Sequence, residues 1–148
     1  MIREARPEDF DQWLTLWDGY NEFYGRAGAT ALPREVTETT WSRFFDPAEP
    51  MHALVAVADG RLVGLAHYLF HRSTTAIPLA CYLQDLFTDP TQRGKGIGRR
   101  LIEQVGDAAK AAGSPRVYWQ THETNHSARR LYDAIAEYSG FVVYRLPA

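Results

Sequence analysis

The chain has 148 residues, 45% of them apolar and 23% charged, and its 16 basic and 18 acidic side chains leave a net charge of −2. That length suits one domain, 1–148, with a real core; ordinary hydrophobicity argues against disorder, and near-neutral charge against gripping nucleic acid by bulk positive charge. No apolar run reaches the roughly 18–20 residues of a membrane span, and the lone Cys81 excludes a disulfide framework or a thiolate-rich metal site. The charged start, Ile2-Arg3-Glu4-Ala5-Arg6-Pro7, lacks the apolar stretch of a secretory signal, so a cytoplasmic protein is expected.

In chain order, residues 2–5 suit a short edge strand. Pro7-Glu8-Asp9 then puts a proline and two acids where a helix begins, and Phe10, Trp13, Leu14, Trp17 and Tyr24 recur at helical spacing, predicting a helix over 8–24. Gly25, Gly28 and Pro33 break it; a weaker helix is expected over 35–45, ended by Asp46-Pro47. The period then changes. Apolar runs at 51–58 and 62–70 meet at Asp59-Gly60, a hairpin signal, and 80–88 is a third strand closed by Asp89-Pro90. Residues 96–112 predict a helix, with Ile97, Leu101, Val105, Ala108 and Ala112 on one face, stopped at Gly113-Ser114-Pro115. A strand at 116–120, a helix at 125–138 and a last strand at 141–146 complete the order β-α-α-β-β-β-α-β-α-β. Hairpin strands followed by βαβ units predict an α/β fold, a mixed sheet with helices on both faces in three layers.

The densest chemistry lies between Leu83 and Arg100. Glycines at 94, 96 and 98 let the backbone turn tightly and bring its N–H groups close to a ligand. Those groups open a helix, at the positive end of its dipole, with Arg93, Lys95, Arg99 and Arg100 around them: an anion site, most naturally for phosphate. It is not the dinucleotide fingerprint, because position 99 is Arg, nor a P-loop, because Lys95 is followed by Gly96.

Arg93-Gly94-Lys95-Gly96-Ile97-Gly98 resembles the Arg/Gln-x-x-Gly-x-Gly/Ala signature of the GNAT superfamily of acetyl-CoA-dependent N-acetyltransferases. The strand from Tyr82 to Thr88 and the later Asn125-x-x-Ala128-x-x-Leu131-Tyr132 are similar to that family too, as is the order of elements, so the resemblance covers nearly the whole chain. Within the superfamily, Arg116 to Thr121 with Asn125-His126 looks most like the histone and protein acetyltransferase branch, with diamine acetyltransferases close by. The resemblance implies a three-layer fold with a mostly antiparallel sheet and a splayed strand pair. It also implies acetyl-CoA as acetyl donor and a primary amine as acceptor: a small cationic amine, an amino acid or a lysine side chain. The pyrophosphate would lie on the amides of Gly94, Lys95, Gly96, Ile97, Gly98 and Arg99 beside Arg93. The pantetheine arm would follow the backbone of Leu86, Phe87 and Thr88 and meet Asn125, with Tyr132 near the sulfur. A homodimer through the late strand is a further expectation.

Acetyl transfer to nitrogen needs a neutral amine, a polarised thioester carbonyl and a proton for the departing thiolate. A backbone N–H of the 82–88 strand would polarise the carbonyl, and Tyr132, whose ordinary pKa is roughly 10, would supply the proton. Diamine acetyltransferases carry Glu-Asp where this chain has Gln84-Asp85. Gln84 cannot titrate, so deprotonation would run through water with Asp85 or Glu22 helping, or the acceptor amine would have a low pKa; strand neighbours point to opposite faces, so Asp85 does not simply replace its neighbour. Tyr20, Glu22 and Tyr24 mix a carboxylate with aromatic faces beside the first helix and, with Gln84, are the candidate acceptor contacts; Trp13 and Trp17 are expected in the core. His67, His71, His122 and His126 do not form a metal motif, so no metal is expected, and Cys81 is read as packed. A coenzyme-binding module that has lost turnover is the competing reading, with Gln84 its main support.

Overall fold

The computed structural model describes residues 1–148. Its sheet runs β1 (Ile2–Glu4), β2 (Met51–Ala58), β3 (Arg61–His71), β4 (Ala80–Thr88) and β5 (Val117–Tyr118) in that spatial order. The first four pair antiparallel and β5 joins β4 in parallel, which gives the mixed, mostly antiparallel sheet expected. At the hairpin between β2 and β3, Asp59 and Gly60 both take positive φ, 52° and 71°, the geometry that matches strand twist.

Helices α1 (Phe10–Phe23) and α2 (Arg34–Arg43) cover one face, α3 (Ile97–Ala111) and α4 (His126–Ile135) the other. On α1, Trp13, Leu16, Trp17 and Tyr20 recur at helical spacing and pack on Val55, Leu62, Leu65 and Phe87. On α3, Ile97, Leu101, Ile102, Val105 and Ala109 form the stripe that packs on Leu54, Val63, Ala66 and Leu83. The predicted helix over 8–24 begins instead as a tight turn, Pro7–Asp9, before α1. Asp9 does not cap α1. It accepts from both terminal nitrogens of Arg3, at 2.7 and 3.0 Å, and from the Arg6 N–H at 2.8 Å, tying β1 to the helix start.

The β3–β4 register skips a residue. His67 faces Asp85 and Tyr68 faces Leu83, which leaves Gln84 as a β-bulge. The bulge reverses the faces of β4: Cys81, Leu83 and Leu86 pack with α3, whereas Phe87 packs with α1. Strict alternation along this strand therefore fails at Gln84, and Asp85 is turned toward α1 and α2, where His67 meets it.

Two late elements differ from expectation. The strand expected over 116–120 shrinks to Val117–Tyr118, pinned where the Tyr118 ring stacks on Tyr82 at 4.9 Å and its hydroxyl donates to His71 Nε2 at 2.7 Å. Past Tyr118 the chain leaves β4, so the splayed pair is present. The strand expected over 141–146 is absent. Its residues are β-prone, but a strand exists only by pairing, and this backbone makes no hydrogen bond to the sheet. Phe141, Tyr144 and Leu146 stand 87%, 92% and 91% exposed.

Candidate active site

A cavity of about 340 Å³ lies between α1, α2 and the sheet, with Trp17, Asn21, Arg26, Phe44, His67, Gln84 and Asp85 among its walls. Asp85, at 8% exposure, is the carboxylate that lines it. His67 Nδ1 stands 2.9 Å from Asp85 Oδ2, and the Trp13 indole donates to His67 Nε2 at 2.9 Å. An indole nitrogen can only donate, so Nε2 must accept and carries no proton. The imidazole is thus neutral and gives its Nδ1–H to a carboxylate.

Opposite in charge on the same wall is Arg26. Its Nε donates to Asn21 Oδ1 at 2.7 Å, and buried Asn21 is fixed in turn through Nδ2 to the Trp17 carbonyl at 2.9 Å. The guanidinium carbon lies 5.8 Å from the Tyr20 ring centre and 5.5 Å from that of Tyr24, within cation–π range. Burial first, then the negative charge of Asp85, holds the Tyr20 hydroxyl far above its ordinary range, so it remains protonated.

Where β4 and β5 part there is a narrower slot of about 20 Å³, walled by Tyr20, Tyr24, Gln84, Leu86, Trp119 and Tyr132. Burial pushes the Tyr132 hydroxyl up to about 12, and Trp119 meets its ring edge-on at 5.4 Å. The bulge residue Gln84 borders both the slot and the larger cavity.

The glycine loop precedes α3. Gly94 and Gly96 take φ of +79° and +76°, a conformation that L side chains rarely adopt. The amides of residues 94–99 donate to no acceptor in the protein, and no side chain caps α3. Arg93 lies over Phe87 and donates to the Thr88 carbonyl at 3.3 Å; Lys95 reaches Gln92 at 2.9 Å; Arg99 is held by Glu103 at 3.0 Å. Unpaired amides at a helix start, ringed by positive charge, suit a diphosphate.

Of the residues expected to act, Tyr20, Tyr24, Gln84, Leu86 and Tyr132 meet around the slot, and Gln84 and Asp85 around the larger cavity. Glu22 is exposed and lines neither. Phe87 points under α1, where a Cβ on Gly19 would come within 3.0 Å of its ring. Asn125 caps α4: its Oδ1 accepts from the Ala128 N–H at 3.4 Å and its Nδ2 donates to Thr121 at 3.3 Å. Trp13 and Trp17 are core residues, and Trp17 is also cavity wall. Sequence reasoning missed Arg26 and the pairing of His67 with Asp85. Each depends on contacts across the fold, and no local spacing marks either.

Comparison with known proteins follows the same outline. The model of the acetyltransferase (GNAT) family matches residues 12–136. The chain is 35% identical over 147 residues to the D-amino-acid N-acetyltransferase HPA3 of Saccharomyces cerevisiae, covering 98% of this chain and 89% of that one. It is 29% identical over 143 residues to the thialysine N-epsilon-acetyltransferase of Bos taurus, covering 91% and 82%. Among solved structures, an aminoglycoside N-acetyltransferase AAC(6')-Iy in complex with CoA superposes with a TM-score of 0.77 at 17% identity, over 100% of this chain and 99% of that one; the likeness is one of fold.

Proposed function

The chain belongs to the acetyltransferase (GNAT) family and is an acyltransferase, and we propose that it moves an acetyl group from acetyl-CoA to a primary amine by direct attack. The observation that carries this reading is the position of Gln84, on the shared wall of two spaces: a slot with a protonated tyrosine and a larger cavity with a carboxylate. A donor thioester in the slot and an amine in the cavity would meet there.

Acetyl-CoA supplies the activated acetyl group. The amides of residues 94–99, with Arg93 and Lys95, hold its diphosphate, and the backbone of Leu86, Phe87 and Thr88 guides the pantetheine arm toward Tyr132. Asn125, whose amide already caps α4, borders that path. Beyond Tyr82, β4 has no strand partner on the β5 side, which supports an arm lying there. Asp85, oriented by His67, takes the proton that the ammonium must lose, with water completing the transfer. The amine nitrogen then bonds to the acetyl carbon while the C–S bond breaks, and the second proton that nitrogen sheds as it becomes an amide replaces the one Tyr132 gives to sulfur. A β4 backbone N–H near the bulge stabilises the oxyanion, a contribution typically of about 10²–10³ in rate. Tyr132 donates to the departing sulfur; burial raises its pKa, and the same dry slot raises the basicity of the thiolate it serves.

Relatives that act on D-amino acids and on thialysine support a small amine as acceptor. The cavity carboxylate with its histidine supports turnover over a coenzyme-binding module that has lost it. No helix is long and apolar enough to cross a membrane, and the buried Cys81 thiol, pushed up to about 11 by burial, suits a reducing cytoplasm. The whole chain works as a single catalytic unit, paired as a homodimer in which residues 141–146 add to a partner's sheet: their apolar side chains are exposed and β5 has an open edge. Light scattering showing only monomer would contradict the dimer. Calorimetry with acetyl-CoA, followed by thiol release over an amine panel, tests the reaction; binding without turnover on any amine would favour the module.

A further inference from the structure

The acceptor cavity carries one charge of each sign and keeps them apart. Asp85 is bonded to a neutral histidine, so its negative charge is not cancelled. Arg26 makes no ion pair with any carboxylate of the chain. Its Nε is spent on Asn21, and neither terminal nitrogen donates to a protein acceptor. Anchored at Nε and laid on the rings of Tyr20 and Tyr24, the guanidinium is fixed in place with its outer donors unused. That is the fork geometry that receives a carboxylate.

A bare diamine would bring a second ammonium toward Arg26, and a lysine within a protein brings no free carboxylate. A free amino acid satisfies both poles, and about 340 Å³ leaves room for its side chain. We propose that the acceptor is a free amino acid whose carboxylate is bound by Arg26 while its amino group meets Asp85. This rests on the acetyltransferase reading and adds the substrate class and a specificity residue to it.

The test compares an amino acid, its carboxamide and the amine lacking the carboxyl, each with acetyl-CoA, in both enantiomers where these exist. The carboxamide is the less basic amine, so a larger fraction of it is neutral and chemistry alone would favour it. The structure instead predicts kcat/KM for the amino acid about 10- to 100-fold above both analogues, the range of a charged hydrogen bond. In Arg26→Gln that preference should fall to within a few-fold, mostly through KM for the amino acid, and calorimetry with CoA bound should record the same loss of amino-acid affinity. Arg26→Lys, a point charge without the fork, should restore only part of it. Wild-type protein that acetylates the carboxamide or the bare amine as well as the amino acid overturns the proposal, whatever the variants do. Wild-type protein that binds no acetyl-CoA, or acetylates no amine, overturns the acetyltransferase reading and this inference with it.

Discussion

Trp13 donates its indole hydrogen to Nε2 of His67 across 2.9 Å, and this one bond decides what the histidine can do for Asp85. With Nε2 occupied, the imidazole can neither take up a second proton nor relay one outward. Its task is to hold Asp85 in place, so His67 is a positioning residue.

Trp13→Phe keeps an aromatic ring in the cluster but leaves Nε2 without its donor. A buried acceptor left unsatisfied costs about 1–3 kcal/mol, readable in denaturant unfolding. Nε2 can now be protonated, and an imidazolium beside Asp85 weakens it as a proton acceptor. The kcat/KM of Trp13→Phe should therefore fall more steeply toward acid than that of the wild type. A variant less stable but with an unaltered pH profile would reduce Trp13 to packing alone.

Removing the charge of Asp85 tests the acceptor side. Asp85→Asn should lower kcat/KM by about 10²-fold or more at neutral pH, the usual scale of a general base, and shift the acidic limb to higher pH, because the amine must then arrive already neutral. An unchanged acidic limb would take Asp85 out of the proton path.

Tyr132→Phe should lower kcat by about 10²-fold with little change in the KM for acetyl-CoA. Because burial raises this hydroxyl to about 12, its protonated form persists throughout the ordinary assay range. Any alkaline limb below that value must come from another group and should survive in the variant. A Tyr132→Phe variant that keeps the wild-type kcat would contradict the assignment.

At Gly96 the φ of +76° is the constraint, since nothing lies within 4 Å of an added Cβ. Gly96→Ala therefore strains the loop rather than crowding it, by about 1–2 kcal/mol. Acetyl-CoA affinity in calorimetry should weaken by about tenfold, with the KM for the amine unchanged. Equal affinity in the variant would mean that the loop conformation is not what holds the donor.

The glycine loop was legible because positive φ and a helix start leave a local mark in the residue types from Gly94 to Gly98. The hairpin at Asp59-Gly60 was legible for the same reason. The cavity was not. Asp85 reaches His67 only because the bulge at Gln84 turns it toward α1, and a bulge is a property of two strands in register. Arg26 likewise gains its setting from Asn21, Tyr20 and Tyr24, which the end of α1 folds around it. The apolar run from Phe141 to Leu146 records β-propensity, but its backbone makes no hydrogen bond to the sheet and its side chains stay exposed, so propensity alone did not make a strand.

Acid sensitivity follows from Asp9. The Arg3 hydrogen bonds hold its carboxyl below the usual carboxylate range. A depressed folded pKa means that its stabilisation is present above the unfolded value of about 3.9 and is lost as pH falls through the folded one. In Asp9→Asn, urea unfolding should show lower stability at neutral pH, and the difference from wild type should narrow below pH ~4. A difference independent of pH would contradict this assignment.

The central claim is that the cavity holding Asp85 and the slot holding Tyr132 serve one acetyl transfer. Its most direct test is mass spectrometry of an amine incubated with acetyl-CoA and the protein, alongside a thiol titration. The account predicts acetylated amine and free CoA thiol in equal amounts, both strongly reduced in Asp85→Asn and in Tyr132→Phe. Thiol released without acetylated amine, or equal yields from both variants and the wild type, would contradict it.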